Sequence, residues 1–156
     1  MITVEVKTHF AGAPADPPQL RKLVRAICKR LAVSRAVVGI GVVDDMEMRR
    51  LNAKFLHRRG NTDCLSFDLS DGAGSEEPRV FDLIVNGELA VREAARRGHA
   101  AEAELALYVA HGLLHQLGFD DATEEQAGRM HRMEDDILQK SGYGLVYDTG
   151  LRGQRS

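Results

Sequence analysis

Residues 111 to 121 contain two histidines, a glycine and two aspartates at spacings that suit a metal site. The segment reads His-Gly-Leu-Leu-His-Gln-Leu-Gly-Phe-Asp-Asp, with His111 and His115 four residues apart. Because residues at i and i+4 project from one face of a helix, the two imidazoles could bind one ion. Gly118 suits a helix end, and a chain that turns back there brings Asp121 towards them. We therefore predict a metal site formed by His111, His115 and Asp121.

Two imidazole nitrogens and one carboxylate oxygen favour Zn²⁺, about one ion per chain, although Fe²⁺, Mn²⁺ or Ni²⁺ could also occupy such a site. Three protein ligands leave one coordination position open for water. Zinc lowers the pKa of a bound water towards neutrality, so hydrolysis or activation of a phosphoryl or carbonyl oxygen becomes possible. The identity of the third ligand is not decided by the spacing. Asp120, or no residue, could replace Asp121, and His131 is a further candidate.

The residue after the first histidine argues against a zinc protease. Proteases with two histidines at this spacing carry a glutamate there as general base, whereas this chain has Gly112. The other histidines, His9, His57 and His99, have no ligand-like neighbours in the sequence. The spacing of residues 111 to 121 therefore predicts metal chemistry, and Gly112 disfavours a protease.

The composition is that of one globular domain over residues 1–156, with 44% hydrophobic and 28% charged residues. With no apolar run long enough for a bilayer and no secretory signal pattern, we expect a cytoplasmic protein with no membrane partner. Cys28 and Cys64 are too few and too far apart for a disulfide framework, so both are interpreted as reduced packing residues. From about residue 143 the chain is expected to be a flexible tail.

Charge is segregated along the chain. Residues 21–59 carry eleven Lys or Arg against three acidic residues, whereas residues 101–136 carry nine acidic residues against two Arg. A basic segment suits a polyanion, and an acidic segment around two histidines suits a divalent cation. Salt bridges between the two segments would be a purely structural explanation of the same pattern.

The elements that position these residues are strands early in the chain and helices later. Alternating polar and apolar residues predict a first strand over residues 1–7, and an apolar β-branched run predicts a central strand at 37–43. Two short strands at 64–69 and 80–86 are expected to pair as an antiparallel hairpin. Helical spacing of apolar residues predicts helices after Pro17, after Asp44, and over 88–97, 101–117 and 123–140. The fold class is therefore α+β, with a small mixed four-stranded sheet and about five helices.

The helix over 101–117 has leucines around nearly its whole circumference and is expected to be buried. Its one polar stripe holds Glu104, Tyr108, His111 and His115, so the histidines should face a pocket or cleft. In the last helix, helical phase does not identify which of three acidic residues is buried. We expect one buried side chain and two solvated ones among Glu134, Asp135 and Asp136.

The histidine segment resembles the motif of the YbeY family of bacterial endoribonucleases, His-Gly-x-Leu-His-Leu-x-Gly-Tyr-Asp-His. Further segments agree in order and spacing, so that the resemblance runs from about residue 37 to 140. They are Leu51-Asn52 followed by Thr62-Asp63-Cys64-Leu65-Ser66-Phe67, then Gly87-Glu88-Leu89, and Met130 with Glu134.

The resemblance implies a zincin-like metal helix and a zinc-dependent endoribonuclease that acts on single-stranded RNA. It implies a role in ribosomal RNA processing, in particular maturation of the small-subunit 3′ end, and in ribosome quality control, with ribosomal RNA and the small subunit as partners. His111 and His115 match the first two zinc ligands, and Asp121 stands where the family has a third histidine. A carboxylate there would weaken the Lewis acid. Asp120 matches the aspartate that precedes the third ligand in the family motif, and the resemblance implies that it orients an imidazole.

A second departure concerns an arginine that some family members carry between the Leu-Asn and Thr-Asp segments. Leu56 holds that place in this chain, with Arg58 and Arg59 shortly after it. These two arginines are the candidates for holding a phosphate, beside His111 and His115 as catalytic residues. Two alternatives stay open: a metal-containing ribosome-assembly or RNA-binding factor without catalysis, and a metallopeptidase whose base lies elsewhere.

Overall fold

The computed structural model describes residues 1–71 and 77–144 as an α+β fold. The order of elements is β1 (Ile2–Thr8), α1 (Pro17–Arg30), β2 (Ala36–Val43), α2 (Asp45–Leu56), β3 (Cys64–Asp68), β4 (Arg79–Asn86), α3 (Gly87–Arg97), α4 (Ala101–Gln116) and α5 (Glu124–Lys140). This confirms the predicted mixed sheet with five helices. The predicted flexible tail lies largely outside the described residues.

The sheet is mixed, with strand order β1-β2-β4-β3. Strands β1, β2 and β4 run parallel, while β3 pairs antiparallel with β4 in a register that places Ser66 opposite Leu83. The prediction of β2 as a central strand and of the antiparallel pair is therefore confirmed. Strand β3 forms one edge of the sheet, and this edge lies beside α4.

Local sequence signals set the helix ends. The side chains of Asp16, Asp44, Asn86 and Thr123 accept backbone N–H groups at the first turns of α1, α2, α3 and α5, as N-cap residues do. In α5 the predicted capping box is complete, because Gln126 returns a side-chain bond to the backbone of Thr123. These caps fix where each helix begins relative to the sheet.

The main core lies between one face of the sheet and helices α1, α3, α4 and α5. Helix α4 is its centre: the segment from Ala103 to Ala110 is buried throughout, and the helix contacts β3, β4, α1, α3 and α5. A smaller core under α2 contains Val43, Met48, Leu51 and Leu65. None of the helices in the described residues has the length and apolar character needed to cross a membrane.

Candidate functional site

Helix α4 ends at the glycine that the sequence indicated. Gly118 has a φ of +107°, in the region that favours glycine, and the Phe119 N–H donates to the Leu114 carbonyl at 3.0 Å. The chain then turns back, and the backbone N–H of Asp121 donates to the Asp120 carboxylate at 2.8 Å. This turn brings Asp121 alongside the helix it has just left.

His111 lies between two carboxylates. Its Nδ1 atom is 2.8 Å from Oε2 of Glu134 on α5, and its Nε2 atom is 3.8 Å from Oδ2 of Asp121. Since a carboxylate accepts hydrogen bonds, Nδ1 carries the proton when the ring is neutral, and the Nε2 lone pair points towards Asp121. The imidazole is therefore fixed on its buried side and open on its outer side.

The carboxylates also set the electrostatics of this imidazole. The hydrogen bond that His111 donates to Glu134 raises the pKa of His111 above its ordinary value, against the opposing effect of burial. The charges of Glu134, Asp63 and Asp121 add to this rise. Negative potential at a half-buried imidazole favours a cation at the same place, whether that cation is a proton or a metal ion.

His115 lies one turn further along α4, where the helix surface is exposed. It lines a surface cleft of about 250 Å³, here called the β3 cleft, between the edge of β3 and the ends of α2 and α4. On one wall the Gln116 side chain donates to the Ser66 hydroxyl at 2.9 Å. The cleft residues are Leu56, Cys64, Leu65, Ser66, Phe67, His115 and Gln116.

His111 and Asp121 are spaced so that both could contact one metal ion, although no ready-made cluster of three His, Cys, Asp or Glu ligands is found in residues 1–71 and 77–144. Two ligands of a tetrahedral zinc are about 3.4 Å apart. The 3.8 Å between His111 Nε2 and Asp121 Oδ2 is close to that separation. His115 and Asp121 are both exposed, so neither side chain is held in the buried core.

The predicted arginines lie on the loop that connects two cleft residues, Leu56 at the end of α2 and Cys64 at the start of β3. Arg58 and Arg59 are exposed, and the backbone N–H of Arg58 continues the end of α2 by donating to the Asn52 carbonyl. Leu56 lines the cleft together with His115. Leu56 therefore places an apolar side chain inside the cleft, and the cationic side chains of Arg58 and Arg59 follow two and three residues later in the chain.

A polar network holds the loop from 57 to 63 in place. The buried Asn86 side chain donates to Asp45 Oδ1 and to Asn61 Oδ1, each at 2.9 Å, and Arg92 forms an ion pair with Asp45. The hydrogen bond from Arg92 is the largest cause that holds the pKa of Asp45 well below its usual range, and the hydrogen bonds from Asn86 and Asn61 lower it further. The network ties α2, α3 and β4 to the segment that leads into β3, and so fixes the approach to the cleft.

Gly112 is where α4 touches the sheet. A Cβ atom at this position would lie 2.6 Å from the Cys64 sulfur and 3.4 Å from Leu83. A glutamate general base therefore has no room after His111, which strengthens the argument against a zinc protease. Burial raises the pKa of the Cys64 thiol, so this cysteine is a protonated packing residue, as predicted.

Several polar contacts of the structure differ from the predictions. The carboxylate that orients an imidazole is Glu134 and not Asp120, which accepts the Asp121 N–H. Asp135 is buried as well as Glu134, so the expectation of one buried acid among three was wrong; Asp136 pairs at the surface with Arg30.

One signal for Glu134 was present in the sequence. Its spacing from Met130, Ile137 and Leu138 places it in the apolar stripe of α5, where a carboxylate needs a buried partner. Another buried carboxylate, Glu104, pairs with Arg97 at the end of α3 and with His99 of the α3–α4 connection, contacts that the sequence did not indicate.

The chain matches the family model described as "Endoribonuclease YbeY" over residues 7–142. It is 33% identical to the endoribonuclease YbeY of Macrococcus caseolyticus over 155 residues, which cover 95% of this chain and 99% of that protein. It is 32% identical to the Thermobifida fusca protein of the same name over 135 residues, covering 82% and 87% of the two chains.

The solution structure of TM1509 from Thermotoga maritima has the same fold. Its TM-score is 0.60 at 20% identity, with 89% of each chain covered. The family model and the similar sequences together cover the β3 cleft, helix α4 and the turn at Asp121. This chain therefore belongs to the endoribonuclease YbeY family.

Proposed function

We propose that this protein is a cytoplasmic, zinc-dependent endoribonuclease that cleaves single-stranded RNA in ribosomal RNA processing and ribosome quality control. The observation that carries the proposal is the position of His111, oriented by buried Glu134 on one side and directed at Asp121 on the other. Together with family membership over residues 7–142, this supports a metal centre used for phosphodiester hydrolysis.

His111, His115 and Asp121 would hold the zinc ion. When bound, zinc supplies a Lewis acid and lowers the pKa of a water molecule. Glu134 keeps the proton on Nδ1 of His111, so that the outer nitrogen is available as a ligand. Asp120 supports the turn that carries Asp121, because it accepts the Asp121 backbone N–H.

Basic residues of the 21–59 segment would hold the RNA backbone. Arg58 and Arg59 are exposed on the loop next to the β3 cleft, and Lys54 lies one turn earlier on α2. Guanidinium groups suit phosphate oxygens because they donate two parallel hydrogen bonds. Substrates of this kind include single-stranded regions of small-subunit ribosomal RNA near its 3′ end.

The proposal is tested by incubating the protein with single-stranded ribosomal RNA, with and without a chelator. We expect cleavage that the chelator abolishes and that added zinc restores. Asp121→His is the companion variant, and increased cleavage would identify the aspartate as a weaker ligand than histidine. Chelator-resistant cleavage would contradict a metal-dependent mechanism.

The second candidate function is a metal-containing ribosome-assembly or RNA-binding factor without catalysis. The observation in its favour is Leu56, an apolar residue in the cleft where some relatives place arginine. Chelator-insensitive RNA binding without cleavage would support this alternative. A metallopeptidase is the third candidate, and Gly112 packed against Cys64 argues against it; a peptide-library digest tests it directly.

A further inference from the structure

An aromatic platform lies at the rim of the β3 cleft. The rings of Phe55 and Phe67 contact each other edge to face, with centroids 5.5 Å apart. Phe55 is 48% exposed although it is large and apolar, and the Lys54 ammonium lies 5.3 Å from the centre of its ring. Phe67 is partly buried against the small core under α2. An exposed aromatic ring beside a cation is a feature that binds bases of single-stranded nucleic acids.

The cleft itself combines apolar and polar walls. Leu56 and Phe67 provide apolar surface, and the hydrogen-bonded pair of Ser66 and Gln116 provides the polar wall, next to His115. Among the described residues neither member of this pair makes a second side-chain hydrogen bond, so the Ser66 hydroxyl proton and the Gln116 carbonyl oxygen stay available. One donor beside one acceptor matches an edge of every nucleobase.

We propose that the β3 cleft is a subsite for one unpaired nucleobase, which packs against Phe67 and Leu56 and hydrogen-bonds to Ser66 and Gln116. The inference rests on the proposed function, since it places the base next to the candidate metal ligand His115. Lys54 on the rim holds a neighbouring phosphate. Because a paired base hides its edge within a duplex, this subsite selects single strands, with little preference among the four bases.

The test measures binding of a short single-stranded 2′-O-methyl RNA that carries 2-aminopurine, and of the same strand with abasic sites. We expect the base-containing strand to bind about tenfold more tightly and its fluorescence to be quenched. Phe67→Leu keeps an apolar side chain but should lose this preference, whereas Phe67→Trp should keep it. Phe10→Leu is the matched control, because it makes the same change in a partly buried aromatic packed near Gly87.

Cleavage of unmodified RNA by the same preparations separates the two proposals. If the wild-type protein prefers the base-containing strand but cleaves no RNA, the subsite stands and the proposed function fails. If the protein cleaves RNA but binds base-containing and abasic strands equally, the subsite is refuted and the proposed function stands. If the protein neither binds nor cleaves, both are refuted.

Discussion

Helix α4 carries polar residues at both ends of one stripe, and these residues differ in burial and in their partners at the two ends. At the start, Glu104 is 1% exposed and bonds to Arg97 at 2.9 Å and to His99 at 2.6 Å. At the end, His111 is held by Glu134 on one side only, and its ring faces solvent together with exposed His115. The first cluster pairs a buried anion with a permanent cation, while the second leaves imidazole nitrogens at the surface.

The difference separates a structural polar cluster from a candidate functional one. Arg97 compensates the charge of Glu104 inside the protein, and burial together with Glu104 raises the pKa of Tyr108. At the other end, carboxylates surround an imidazole whose outer nitrogen points outwards. Polar residue type is therefore insufficient to locate a site; what distinguishes the two ends is which atoms remain accessible after folding.

The largest expected effect is on stability, at the buried end of the stripe. Glu104→Ala removes the buried carboxylate that the Arg97 guanidinium contacts at 2.9 Å, so we expect a loss of about 3–5 kcal/mol in the free energy of unfolding. Chemical denaturation measures this loss. The control is Glu125→Ala, which removes an exposed ion pair with Arg129 and should cause no measurable change. Equal effects of the two variants would remove the contrast between buried and exposed pairs.

Glu134→Gln tests whether the buried carboxylate beside His111 supports metal binding at the exposed end of α4. Glutamine keeps an acceptor for His111 but removes the charge, so zinc affinity should fall about tenfold. Competition with a chelator of known affinity measures the change. Asp136→Asn, which alters an exposed carboxylate on the same helix, should leave zinc affinity unaltered. An unchanged affinity in Glu134→Gln would show that Glu134 has only a packing role.

Asp45 is intermediate between the buried Glu104 cluster and the open end of α4 at His111, because its polar network is only partly buried. Asp45→Asn should cost about 1.5 kcal/mol at neutral pH, since Arg92 and Asn86 lose a charged acceptor. The pKa of Asp45 is lowered in the folded protein, so the aspartate stabilises the fold above its unfolded pKa, and the contribution declines as pH falls towards the folded value. The difference between the two proteins should therefore shrink below about pH 4.

This shrinkage is measured by urea unfolding of both proteins across the acidic range. A difference that stays constant with pH would mean that the charge of Asp45 does not contribute to stability, and that hydrogen-bond geometry accounts for the whole effect.

The smallest effect is expected at Gly112, which directly follows His111 in α4. Alanine favours a helix by about 1 kcal/mol over glycine. The new Cβ would meet the Cys64 sulfur at 2.6 Å, so Gly112→Ala should instead destabilise the protein by about 1 kcal/mol. Adding Cys64→Ala should relieve the contact and recover the stability. Failure of the second change to compensate would show that α4 and β3 are not tightly packed here.

The framework of the protein followed from local signals in its sequence. The apolar β-branched run of β2 indicated a central strand, and Gly118 and the capping box at Thr123 fixed helix ends within a residue. These signals act over a few residues, so they can be interpreted without knowledge of the tertiary structure.

The contacts that decide the chemistry are separated along the chain. His111 and Glu134 are 23 residues apart, and Gln116 and Ser66 are 50 apart. Helical phase placed the histidines on a polar stripe, but it could not distinguish the buried pair at Glu104 from the open site at His111. Pairing across elements depends on how the helices pack, and periodicity within one helix does not encode that packing.

The central claim is that the exposed end of α4 forms a zinc centre that cleaves RNA. It is tested most directly by measuring metal content and RNA cleavage on the same preparations of the wild-type protein and His115→Ala. We predict about one zinc per wild-type chain, and a folded His115→Ala variant that has lost both the metal and the cleavage. Wild-type protein that is folded and active without metal would contradict the claim.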